Sequence, residues 1–334
     1  MTFDQIYNDI KQGNYRPIYF LMGNEGYYID KISDAIEHGV LSEEEKAFNQ
    51  TVLYGKDVEI GEVITVAKRY PMMAPYQVLI VKEAQEIRNI EELALYADNP
   101  LETTILVICY RGKTIDKRKS LAKKLSKSHI LFESKRLYDN KVFPWVVARL
   151  KEDGYSINPK AGHLLVEYLG SDLAKVNNEL QKLQLVLPKG TEITASHIEE
   201  NIGISKDFNN FELQNAVGKR DITKAIRIAR YFDANPKDNP FVVTVSVLYS
   251  FFAKIFLYQH ISKGKGESAI AKALGVHPYF LKDYIAASKN FSKKQVADTI
   301  TLLREYDLKS KGVDNTSTSN GELLQELIFK ILFT

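Results

Sequence analysis

Five short apolar runs recur through the first 135 or so residues, and they constrain the fold more than any other feature of the sequence. Pro17-Ile18-Tyr19-Phe20-Leu21-Met22 has no charged interruption, and similar runs follow at residues 51–54, 78–81, 105–109 and 129–132. A continuous apolar run is what a strand covered on both faces requires, as in a parallel sheet flanked by helices. Helical periodicity fills the intervals at residues 29–37, 60–68, 90–96 and 117–125. Ahead of the first run, Thr2 and Gln5 have capping-box spacing, and Phe3, Ile6, Tyr7 and Ile10 form one face of a helix stopped by Gly13. The alternation predicts an α/β domain with a parallel sheet.

After Ser134 the strand signals stop. Helices are predicted from Phe143-Pro144 to Lys151, over 159–169, from the Ser171-Asp172 cap through Val186, and over 194–199. Further helical patterns run over 211–213, 222–231, 240–260, 268–274, 278–287, 292–308 and 322–332, with a polar loop at 315–320. The organisation expected is an α/β domain over 1–138 and two all-α domains over 139–207 and 208–334. A chain of 334 residues, at about 150 per domain, agrees with two or three domains.

Hydrophobic residues make up 45%, enough for sizeable cores, so disorder over most of the chain is excluded. A formal charge of +3 does not by itself announce a nucleic-acid binder. The one cysteine, Cys109, excludes an internal disulfide and points to a reducing compartment. With no signal-peptide pattern at the N-terminus, the expectation is a soluble cytoplasmic protein. The uncharged stretch from Pro240 to Ala253 falls short of the roughly 18–20 residues needed to span a bilayer, and Asn239-Pro240 reads as the start of a buried core helix.

An α/β sheet whose first strand ends in glycine raises the question of a nucleotide. A phosphate loop needs Gly-x-x-x-x-Gly-Lys-Ser/Thr, because glycine backbones wrap the phosphates and the lysine neutralises them. Here Gly23-Asn24-Glu25-Gly26 stands in the right place, but Tyr28, Ile29 and Asp30 occupy the later positions. The third run ends in Lys82-Glu83, putting a cation where a metal-binding acid would be expected. Gly112-Lys113-Thr114 follows a strand but lacks the upstream glycine. These losses indicate a nucleotide-binding fold that no longer hydrolyses nucleotide. The six histidines show no metal spacing, Cys109 sits in a core strand, and no catalytic residue, metal site or cofactor is assigned.

What remains is interaction surface. Residues 111–136 carry ten basic side chains against Asp116 and Glu133, a local charge of +8. Lys117, Arg118, Lys119, Lys123 and Lys124 are expected to spread around a helix, either as a solvated face or as a phosphate-backbone contact. Arg69-Tyr70-Pro71-Met72-Met73-Ala74-Pro75 links a helix to the third strand. Its methionines either pack on the sheet or form an exposed apolar knob suited to a partner's groove.

Three stretches carry a family resemblance: residues 17–25, Gly275-Val276-His277-Pro278-Tyr279-Phe280-Leu281-Lys282, and residues 305–312, where Lys311 is inserted into a more usual Lys-Ser-Gly. Over essentially its whole length the chain resembles the delta subunits of the bacterial DNA polymerase III clamp loader, a degenerate branch of the AAA+ class. The resemblance implies a nucleotide-free AAA+ domain, a helical lid and a helical collar that assembles with other loader subunits. It implies binding and opening of the ring-shaped sliding clamp for loading onto primed DNA, within a DNA-directed DNA polymerase complex. The family's apolar wedge corresponds to Tyr70-Pro71-Met72-Met73, with methionines in place of the more usual leucine and phenylalanine. The Ser-Arg-Cys finger of sibling subunits is absent, since Ile108 precedes Cys109. Two other readings remain open at this level: an active AAA+ ATPase with an unorthodox loop, and a free-standing nucleic-acid-binding protein.

Overall fold

The computed structural model describes residues 1–262 and 264–333, with Asp139 described by its backbone alone. The chain divides into two compact units, one of Met1–Tyr138 with Ser171–Asn177 and one of Asp139–Gly170 with Asn178–Thr334.

In the first unit the apolar runs become strands β1 (Ile18–Gly23), β2 (Gln50–Tyr54), β3 (Gln77–Lys82), β4 (Thr104–Arg111) and β5 (Ile130–Ser134). They form one parallel sheet in the order β2-β3-β4-β1-β5. Every residue of β1 is buried, whereas edge strand β5 alternates buried and half-buried positions. Helices α1 (Phe3–Lys11), α2 (Gly26–Gly39), α3 (Glu43–Asn49), α4 (Ile60–Ala67), α5 (Leu93–Ala97) and α6 (Ser120–Ser128) flank the sheet. Phe20, Leu79, Leu106 and Ile108 share one core with Val63, Leu93 and Leu121, while Tyr19, Leu21, Ile80 and Val107 share the other with Ile6, Ile29 and Ile32. The period-2 alternation of a strand feeds both cores from one apolar run.

Three local expectations are corrected. Helix α3 was not predicted: it is under two turns long and rich in glutamate, held by a capping box in which Ser42 and Glu45 satisfy each other's amides. The helix expected from residue 117 begins at Ser120, so Lys117, Arg118 and Lys119 lie in the preceding loop. Asp116 accounts for this, because its carboxylate accepts the Arg118 N–H at 2.9 Å and turns the chain before the helix can start. Residues 90–96 split into a 3-10 turn and the short α5.

The second unit holds α7 (Asp139–Glu152), α8 (Pro159–Leu169), most of α9 (Leu173–Val186), α10 (Ala195–Ile202), α11 (Asn210–Gly218), α12 (Ile222–Ala234), α13 (Phe241–Ile261), α14 (Glu267–Leu274), α15 (Leu281–Asn290), α16 (Lys293–Ser310) and α17 (Asn320–Phe333). Two residues each of β6 (Ser156–Ile157) and β7 (Glu192–Ile193) pair in parallel, a ladder too short to leave a periodic signal. Helix α7 starts four residues before Phe143, with Pro144 inside it. Pro240 itself caps α13, without a side-chain bond.

Among the described residues α13 is the one helix long and apolar enough to cross a membrane. Its buried residues, Phe241, Thr244, Val245, Leu248, Phe251, Phe252 and Ile255, recur at helical spacing and pack with Phe232, Leu303 and Leu327. It is thus a core helix of this unit. The His277-Pro278-Tyr279-Phe280 stretch is also a packing device. His277 Nδ1 accepts the Tyr279 N–H, and the 3-10 turn drives Phe280 against His163 (4.2 Å between ring centroids) and Phe211 (5.1 Å).

Gly23 has φ +120°, and a Cβ there would lie 2.0 Å from the Ser134 carbonyl oxygen. Gly23→Ala is expected to cost the sheet about 2–4 kcal/mol, read as lost hydrogen-exchange protection of β1 and β5 amides. Burial raises the Glu167 carboxyl to about 7, against the opposing hydrogen bonds from Asn210 and Phe211. An acid raised in the folded state contributes stability below its unfolded pKa and loses that contribution as pH rises through about 7. Glu167→Gln cannot ionise, so its stability relative to the parent is expected to rise by about 1–3 kcal/mol between pH 5 and 8, measured by paired thermal melts.

Candidate functional site

Strand β1 delivers Gly23-Asn24-Glu25-Gly26 to the N-terminus of α2, the position where a backbone can receive phosphate. That terminus is filled by the chain's own carboxylate. Glu25, buried, accepts the Tyr27 N–H at 3.1 Å, and burial raises its pKa. The Ser134 hydroxyl donates to the Glu25 carbonyl at 2.7 Å and pins the loop to β5. Along α2, Asp30 pairs with Arg111 from the end of β4, and Glu37 lies 3.0 Å from Lys82 at the end of β3. Both cations at the strand ends are therefore spent on acids of the same helix. The cavity beside them, about 270 Å³, is lined by Asp30, Ser33, Asp34, Lys82, Cys109 and Arg111. Burial pushes the Cys109 thiol up to about 11, which keeps it protonated and unreactive at neutral pH. No group of three or more His, Cys, Asp or Glu suited to a metal occurs among the described residues.

The loop after α4 is the opposite case, apolar and uncovered. Of the two readings of the methionines, the exposed knob is the one observed. Tyr70 is 76% exposed, Met72 63%, and Met73 is fully exposed. Pro71 is half-buried, and Ala74 and Tyr76 pack against the sheet, so the loop is anchored at its C-terminal end. Met73 has φ +54°, in the left-handed region that side chains other than glycine rarely occupy.

A residue that sequence reasoning missed holds this conformation. Asn49, at the end of α3 and buried, donates to the Met72 carbonyl at 2.9 Å and accepts the Met72 N–H at 2.6 Å. Its neighbour Phe48 is 74% exposed. The available signal was the Ser42-x-x-Glu45 capping box, which would have marked α3 but not its contact 23 residues away.

The basic segment is less free than its charge suggests. Lys117 lies 2.5 Å from Glu133, Arg118 2.8 Å from Asp116, Lys119 3.3 Å from Glu91 and Lys124 2.5 Å from Asp98. Lys123 is exposed and makes no ion pair among the described residues. Exposed pairs of this kind are each worth about 0–1 kcal/mol, so an incoming phosphate could exchange with their carboxylates.

Known proteins match this architecture along its length. The family described as DNA polymerase III, delta subunit, matches residues 19–135, and its C-terminal domain matches residues 207–330. The DNA polymerase III subunit delta of Bacillus subtilis (strain 168) is 26% identical over 338 residues, covering 98% of this chain and 95% of that protein. The structure of the Bacillus subtilis DNA clamp loader delta protein aligns over 100% of both chains at 24% identity, with a TM-score of 0.55. With both halves of the family pattern present in order on a parallel α/β unit and a helical unit, the chain belongs to the DNA polymerase III delta subunit family.

Proposed function

We propose that this delta-family chain binds the sliding clamp through Tyr70, Pro71, Met72 and Met73 and stabilises the ring in an opened form, without hydrolysing ATP itself. The observation that carries the reading is the loop itself: two fully or largely exposed methionines projected from an anchored, hydrogen-bonded turn. Large apolar side chains held in the open favour a partner with an apolar groove. Burying one methionine contributes roughly 1.5–3 kcal/mol, so two suffice as binding anchors. Ring opening then comes from stabilising the sprung clamp, while nucleotide is bound and hydrolysed by other subunits.

The division of labour proposed along the chain is an α/β clamp-binding domain over 1–138, a lid over 139–207 and a collar over 208–334 for assembly with other loader subunits. Lys117, Arg118, Lys119, Lys123 and Lys124 would meet primed DNA within the assembled complex in the cytoplasm, in exchange for their present carboxylate partners. The absence of ATP chemistry is supported by Glu25 at the N-terminus of α2 and by the Arg111–Asp30 and Lys82–Glu37 pairs, which occupy the groups a triphosphate and its metal would need.

Met72→Ser combined with Met73→Ser is expected to weaken clamp binding on the order of a hundredfold with the fold unchanged, measured by surface plasmon resonance and circular dichroism. Unchanged affinity in a folded double variant would remove the wedge assignment. Titration of ATP into the isolated chain, followed by calorimetry, should give no heat of binding. A micromolar dissociation constant there would favour an active ATPase instead.

A further inference from the structure

Helix α3 meets the exposed loop through a buried asparagine whose amide matches a peptide unit. Asn49 is 2% exposed, and its side-chain amide engages both the N–H and the C=O of Met72 while its nitrogen also donates to the Glu45 carbonyl at 3.1 Å. An asparagine side chain presents one carbonyl and one NH₂ in a plane, so it can satisfy a residue's donor and acceptor together. An aspartate would lose the donor, and a serine could not span the two atoms. The next residue, Met73, sits at φ +54°. A side-chain-bearing residue in that region is strained and persists only where its surroundings over-determine it. Asn49 supplies that determination one residue upstream.

The same helix ends in a large apolar group. Phe48 is 74% exposed although its Cα lies only about 3.8 Å from that of Asn49, the point of attachment to the loop. The start of α3 is charged, with Glu43, Glu44 and Glu45 in its first turn and a Ser42–Glu45 capping box stiffening it. Phe48, Tyr70, Met72 and Met73 thus belong to two segments locked together by Asn49.

We propose that α3 is the second half of the clamp-binding surface: Asn49 is a positioning residue that holds Met72 and Met73 in their projecting conformation, and Phe48 is a further anchor on the sliding clamp. This rests on the reading that residues 70–73 bind the clamp. Without Asn49 the loop samples other conformations, and apparent affinity falls by the fraction of time the projecting form is lost. The occupant is the clamp because Asn49 bonds the end of α3 to the loop assigned to it, and the residue beside Asn49 is the exposed, apolar Phe48.

The experiment is clamp binding by the full chain, with Asn49→Ala, Phe48→Ser and Met72→Ser/Met73→Ser made singly and in combination. Asn49→Ala is expected to weaken binding about tenfold and to accelerate hydrogen exchange of the Met72 amide, and Phe48→Ser to weaken binding about tenfold. In the double-serine background Asn49→Ala should cause no further loss, a non-additivity that general destabilisation would not produce. Wild-type affinity in Asn49→Ala, with the Met72 amide exchanging faster, would overturn the positioning role. Wild-type affinity in Phe48→Ser, which replaces an exposed side chain and so leaves the fold intact, would overturn the anchor. If the double-serine variant itself binds like wild type, the loop reading fails and this proposal with it. Loss in that variant with no effect of Asn49 or Phe48 fails the present proposal alone.

Discussion

Strand β1 is the element on which the first unit depends. All six of its residues are buried, it is paired on both sides by β4 and β5, and its alternate side chains feed two separate cores. Such a strand has no tolerance for a shift in register, because a one-residue slip would exchange the contents of both cores. Its end point is equally constrained. Gly23 stands against the Ser134 carbonyl where a Cβ has no room, and the Asn24 amide donates to that same carbonyl at 3.1 Å. The loop that follows is therefore delivered to the N-terminus of α2, whatever chemistry its residues carry.

That delivery brings the ends of three strands to one helix. In a nucleotide-hydrolysing protein the groups at the ends of β1, β3 and β4 face a phosphate or its metal. Here Glu25 caps the helix, Lys82 meets Glu37 and Arg111 meets Asp30, so the charges are neutralised within the unit. The link before β3 is built in the opposite way. There the apolar side chains are exposed and the backbone is held by Asn49. A pre-ordered loop loses less conformational entropy on meeting a partner than a mobile one does.

Several features were legible from residues alone because burial leaves a direct mark on composition. The five apolar runs coincide with the five strands, with ends shifted by one or two residues, and the three central ones, β1, β3 and β4, are covered on both faces and hold no charge at their centres. The departure of residues 23–30 from a phosphate-loop pattern is legible because Tyr28, Ile29 and Asp30 stand where that pattern requires other residue types. Other features escaped. Helix α3 has too few apolar residues for a periodic pattern, and the pairing of β6 with β7 involves two residues of each. The start of α6 was misplaced because the Asp116 turn depends on a side-chain bond rather than on periodicity.

What the sequence determined by itself was which residues are apolar, which are charged and at what spacing. Those properties fix the α/β-then-helical order, the departure of residues 23–30 from the Gly-x-x-x-x-Gly-Lys-Ser/Thr pattern and the apolar character of residues 70–73. Only the tertiary structure decided that Met72 and Met73 face outward, that four of the five singled-out cations are already paired, and that Asn49 grips a backbone 23 residues away. The physical reason is range. Periodicity and residue type report forces within one element, whereas exposure and hydrogen-bond partnership depend on which distant elements the sheet brings together.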